Sequence, residues 1–139
     1  MKSIIIMLAA ITLSSHSLAQ TLSVRCKFSD GQVTDFDKGV PRTVKTNDLS
    51  ELVFDQIDTK KGTARLIGSL GAGTIQVFRG MESIHLIEAT DTGNMNITTI
   101  YLSTKLKSQT TFPVVHSRHM NTYTGPLPSQ YVGVCSKLL

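Results

Sequence analysis

The run Val115-His116-Ser117-Arg118-His119 places three hydrogen-bonding side chains with charge potential on four residues. A guanidinium fork suits a planar anion, and an imidazole beside it titrates near neutral pH. Arg118 with His116 is therefore a candidate carboxylate or anion site. In an extended strand these two share one face, while Ser117 and His119 share the other. The i,i+3 spacing separates the two histidines, so zinc ligation by both requires a bulge. His85 and Glu88 join such a site only if the fold brings them there, and no metal is assigned. The plainer reading is structural: Arg118 and a histidine satisfy a rim or a buried polar network.

A second segment runs Gly125-Pro126-Leu127-Pro128-Ser129-Gln130-Tyr131-Val132-Gly133-Val134-Cys135. Two prolines pre-set its backbone, and Ser129, Gln130 and Tyr131 place polar groups just after them. It reads either as a rigid lead into the last strand or as a pocket rim where Gln130 and Tyr131 meet the His116–His119 strand. The candidate binding residues are thus His116, Arg118, His119, Gln130 and Tyr131.

Catalytic signals are weak. No G-x-S-x-G elbow occurs; Ser117 shares a strand face with His119 and Ser129 could approach a histidine through the fold, but no spacing demands either. The close carboxylates Asp35 and Asp37, or Asp55 and Asp58, read as turn or surface charges before a glycosidase pair. Gly68, Gly71 and Gly73 lack the Lys-Ser/Thr of a phosphate loop. No catalytic residue and no cofactor is assigned, and an enzyme ranks behind a binding protein. Asn96-Ile97-Thr98 is a glycosylation sequon, with meaning only in a eukaryote.

The elements that must hold these residues are strands. Leu22, Val24, Cys26 and Phe28 alternate with Ser23, Arg25 and Lys27, the pattern of a half-buried strand. Asp30-Gly31 then predicts a hairpin turn, with Val33 to Phe36 as the return strand. Asp37-Lys38-Gly39 and Pro41 break the pattern. Residues 49–57 fit either a helix, with Asp48 and Glu51 as a capping box, or a strand; Leu52-Val53-Phe54 favours the strand. Further strands are expected at Thr63–Ile67, Thr74–Phe78, Ser83–Ala89, Asn96–Ser103, Thr110–His119 and Gln130–Ser136. Gly68, Gly71 and Gly73 suggest a flexible connection, and Thr124–Pro128 a rigid loop. Pro113 cannot donate to a ladder, so its strand is an edge, bulges, or starts after it. Eight to ten short strands with regular turn signals predict an all-β, antiparallel β-barrel or sandwich.

The first 19 residues read as a leader. Lys2 is the positive flank, Ile4 to Ile11 the apolar stretch, extended to Leu13, and Ser17-Leu18-Ala19 the small-residue cleavage site before Gln20. The apolar run is about half of the roughly 20 residues a spanning helix needs, so cleavage outranks an anchor. Residues 20–139 remain as one exported domain, periplasmic or secreted, with no integral membrane segment. Two cysteines are left, Cys26 and Cys135. In an oxidising compartment an even count points to a disulfide, the alternative being two buried thiols. That bridge would set the first and last strands side by side.

Hydrophobic residues make up 40% and charged residues 17%, which excludes disordered, collagen-like and multi-span classes. Losing Lys2 with the leader takes the formal net charge from +4 to +3. The basic residues are scattered without an aromatic-basic track, so no nucleic-acid partner is expected.

Ile87-Glu88-Ala89-Thr90 with Gly93–Tyr101, Val114–His119 and Pro128–Cys135 resembles a family of small exported proteobacterial proteins of uncharacterised function. The resemblance spans most of residues 20–139; His-Ser-Arg-His and Pro-Ser-Gln-Tyr-x-Gly-x-Cys are its most specific parts. It implies a bacterial exported protein and no mechanism. In general shape the chain also resembles periplasmic lysozyme-inhibitor barrels and small lipocalin-like barrels. The expected role is non-catalytic binding of an unknown small molecule in the barrel mouth. The alternative is a protein-binding module, such as an inhibitor of an envelope enzyme, inserting the 125–128 loop.

Overall fold

The computed structural model describes residues 21–68, 71–102 and 110–139, so the expected leader and Ser103 lie outside the described residues. Within them are strands β1 (Leu22–Asp37), β2 (Val40–Thr46), β3 (Glu51–Asp58), β4 (Thr63–Gly68), β5 (Gly71–Arg79) and β6 (Ser83–Ala89). They continue with β7 (Met95–Tyr101), β8 (Thr111–His119), β9 (Asn121–Thr122), β10 (Gly125–Pro126) and β11 (Ser129–Lys137). There is no helix among the described residues. Every strand pairing is antiparallel, and β1 pairs with β11 to close an eight-stranded barrel from which β2 is left out. Pairing β11 with β1 closes the eight strands on themselves and leaves only β2 as an edge, so the fold is a barrel and not a sandwich.

The alternation written in the sequence decides which side chains go inside. Val24, Cys26, Phe54, Ile84, Leu86, Ile100, Val114 and Cys135 are all buried in one core cluster. Cys26 and Cys135 lie directly opposite each other in the β1–β11 ladder and form the disulfide, with no free cysteine among the described residues.

Asp30-Gly31 does not turn the chain. β1 runs through it with a bulge between Phe28 and Asp30, and Gly31 faces Tyr131 across the ladder. A Cβ on Gly31 would come within 2.4 Å of the Tyr131 ring, so the glycine is there to admit the ring. The hairpin turn is Lys38-Gly39 instead, with φ of 52° and 82°, the positive values a two-residue hairpin loop demands. Beyond the point where β1 leaves β3, its outer half pairs with β2 and projects as a mostly exposed two-stranded arm.

Residues 49–57 resolve as strand from Glu51 onward, and Asp48 caps no helix. Gln56 takes φ of 49° where the β3 register slips, which turns Ile57 back into the core. The expected glycine connection is mostly strand: β4 and β5 pair up to Gly68 opposite Gly71, and Gly73 lies within β5. Pro113 lies inside β8, which starts before it. The β7–β8 ladder ends at Ile100 opposite Val114, one residue short of the proline, so the missing N–H breaks no pair there. The expected rigid loop at 124–128 is largely a small hairpin, β9 with β10.

Candidate functional site

Strand register stacks the interior in layers. The rim row reads Glu88, Asn96, Arg118 and Ser129 around β6, β7, β8 and β11. The row beneath reads Leu86, Thr98, His116 and Tyr131, and the next reads Ile84, Ile100, Val114 and Gly133. One wall thus passes from charged to mixed to apolar with depth. The opposite wall stays apolar, with Leu52 and Phe54 on β3, Leu66 on β4 and Ile75 on β5.

Between these walls is a cavity of about 190 Å³, lined by Leu52, Phe54, Leu66, Ile75, Leu86, Glu88, Asn96, Thr98, His116 and Arg118. The β5–β6 ladder stops at Gln76 opposite Ile87, so the strand ends carrying Ile75 and Glu88 part beside the cavity. Below it, the layers close over apolar side chains.

His116 is 4% exposed. Its Nδ1 lies 2.8 Å from the Thr98 hydroxyl, and its ring packs among Phe28 and Tyr131. Burial, and then the nearby Arg118 charge, push its pKa down to about 4. The imidazole is therefore neutral at pH 7. Arg118 lies over the Tyr131 ring, its Cζ 5.0 Å from the centroid, and donates from Nη1 to the Tyr131 hydroxyl at 3.5 Å.

The Tyr131 hydroxyl in turn donates to Asp48 Oδ1 at 2.6 Å, and Asp48 Oδ2 lies 3.5 Å from Arg118 Nη1. That phenolic bond, with help from Thr46 and Arg118, holds the Asp48 carboxyl below its ordinary value. Burial, with the Asp48 bond, raises the phenol. The loop carrying Asp48 is thereby tied to the barrel end, and Leu49 beside it is buried.

The five candidate residues separate by face. His116 and Arg118 point inward, and each lies against the Tyr131 ring. Gln130 and His119 sit on the outward face, where they line an open groove of about 210 Å³ that Arg118 also reaches, and Gln130 Nε2 donates to Ser117 Oγ at 3.3 Å. His85 is also outward, between Ser83 Oγ at 3.0 Å and Thr99 Oγ1 at 3.1 Å. Among the described residues, no group of three or more His, Cys, Asp or Glu could hold a metal ion.

Sequence reasoning missed most of the lining. Glu88 entered only as a helper to zinc, and Asn96 only as a sequon. The Asn96 amide instead donates to Glu88 Oε2 at 2.7 Å and lines the cavity, where no glycan could be attached without displacing it. A usable signal did exist. Glu88 is in phase with Ile84 and Leu86, and Asn96 and Thr98 are in phase with Ile100. Polar residues in phase with a buried apolar set mark a wall that faces something other than hydrocarbon.

No helix among the described residues is long and apolar enough to cross a membrane. No family model, curated protein or solved structure matches the chain.

Proposed function

We propose that the protein is an exported, non-catalytic barrel of the bacterial envelope that holds one small ligand in its mouth. The layering of the interior carries this reading: a few convergent polar groups stand over a cavity whose opposite wall is apolar. Ligand sites are built this way, with apolar walls for affinity and sparse polar anchors for orientation. His116 and Arg118 are the proposed anchors from the original candidates, joined by Glu88, Asn96 and Thr98, while Tyr131, buried beside the cavity, holds Arg118 in place. Gln130 and His119, on the outer face, do not line the cavity. An export route fits the Cys26–Cys135 bridge, because such bonds persist in oxidising compartments.

Native mass spectrometry of the folded, undenatured protein tests the proposal. The expected result is an adduct that denaturation releases and that Ile75→Trp, which fills the cavity, abolishes. An adduct unaffected by Ile75→Trp in a folded variant places binding elsewhere and defeats the reading.

A second reading rests on the β9–β10 hairpin, whose tip carries the fully exposed Tyr123. An exposed aromatic at a hairpin tip suits insertion into a partner protein. Capture of an envelope enzyme that is lost with Tyr123→Ala and retained with Ile75→Trp would favour that inhibitor-like role.

A further inference from the structure

The cavity lining carries two opposite charges that do not pair with each other. Glu88 on β6 and Arg118 on β8 flank Asn96 on β7, which is in register with both. At about 4.8 Å per strand, their Cα atoms stand roughly 10 Å apart across the wall. Glu88 accepts the Asn96 amide, and among the described residues no cation pairs with it. Arg118 uses Nη1 toward Tyr131 and Asp48, which leaves most of a five-donor fork. The Asp48 side chain is 59% exposed, and an ion pair so open to water is weak and replaceable.

The lining thus sums to no net charge while presenting one full charge of each sign. A lone anion on Arg118 would also meet Glu88, and a lone cation on Glu88 would meet Arg118. A molecule bearing both charges satisfies both walls without a like-charge contact. Depth settles its orientation: the charges belong at the rim, and the apolar part belongs beneath. A lipid headgroup would enter in the opposite order, charges first. Volume settles its size, since about 190 Å³ is the liquid share of about six waters.

Resting on the reading of the barrel as a ligand carrier, we propose that its ligand is a zwitterion of amino-acid size with an aliphatic side chain. The ammonium group sits on Glu88, the carboxylate takes the Arg118 fork, and the side chain lies against Leu52, Phe54, Leu66, Ile75 and Leu86. Asn96 and Thr98 face the polar midsection.

Calorimetric titration of the disulfide-intact protein tests this with four probes. These are L-leucine, 4-methylpentanoate without the ammonium, 3-methylbutylamine without the carboxylate, and O-phosphoethanolamine as a headgroup without tail. L-leucine should bind, and each half-ligand should bind at least about tenfold more weakly, as expected for loss of a charge-assisted hydrogen bond. Glu88→Gln should weaken leucine by a similar factor while sparing 4-methylpentanoate. Either half-ligand binding as well as leucine overturns the proposal, as does phosphoethanolamine binding where leucine does not. If no probe binds while the Ile75→Trp-sensitive native adduct persists, the zwitterion is wrong and the carrier stands. If that adduct is absent as well, both fall.

Discussion

His116 makes stability depend on pH between about 4 and 6.5. Its pKa falls from 6.5 in the open chain to about 4 when buried, so the unfolded state binds the proton more tightly. Stability is then full above about pH 6.5 and is lost as pH falls toward 4, by up to roughly 3 kcal/mol. His116→Gln should flatten urea stability across that window, and the wild-type imidazole should titrate near 4 by NMR. A wild-type ring titrating near 6.5 would contradict the buried placement. Arg118 differs, because its carboxylate partner is largely in water. Arg118→Ala should therefore cost about 1 kcal/mol or less in thermal unfolding. A clear loss of ligand adduct alongside that small change would mark the residue as a binding group; loss of stability alone would mark it as structural. The shared face of His116 and Arg118 was legible in the sequence from strand alternation alone. Their link to Asp48 was not, because 83 residues separate Asp48 from Tyr131 and only the fold closes that gap.

At the scale of elements, β1 and β11 depend on places where side chains are missing. A Cβ on Gly133 would lie 2.0 Å from the Lys27 carbonyl oxygen and 2.8 Å from Phe28 Cα, and backbone cannot rotate aside. Gly133→Ala should cost about 3 kcal/mol or prevent folding. An unchanged urea midpoint would show that the Phe28–Asp30 bulge relaxes freely. Gly39→Ala is the milder counterpart. Nothing crowds Gly39, but its φ of 82° strains an L-residue, so about 1 kcal/mol should be lost from the exposed arm. Faster amide exchange in 31–46, with the core unchanged, would register it. The Asp30-Gly31 expectation failed for a physical reason: turn residues permit a reversal without forcing one. Tyr131 opposite Gly31 and the β11 ladder hold that stretch extended.

For the whole molecule, closure is the central event. The β1–β11 ladder joins the first and last described strands, and the disulfide with its separation of 109 residues lies within that seam. A loop of this length constrains the unfolded chain by roughly 5 kcal/mol in the chain-entropy model. The Cys26→Ala/Cys135→Ala double variant should lose stability of that order in urea unfolding. A loss below about 1 kcal/mol would show that the seam holds through its ladder and core alone.

The sequence by itself determined what depends on neighbours along the chain. Alternation set the strand periods and put His116 and Arg118 on one face of their strand, and two cysteines allowed a single pairing. Tertiary structure decided whatever depends on register between distant strands. Register aligned Glu88, Asn96 and Arg118 into one rim row and brought Asp48 to Tyr131. It also left the upper interior open, with the lower end filled. A period of two says which side of a strand is inside, but not which residue will stand opposite.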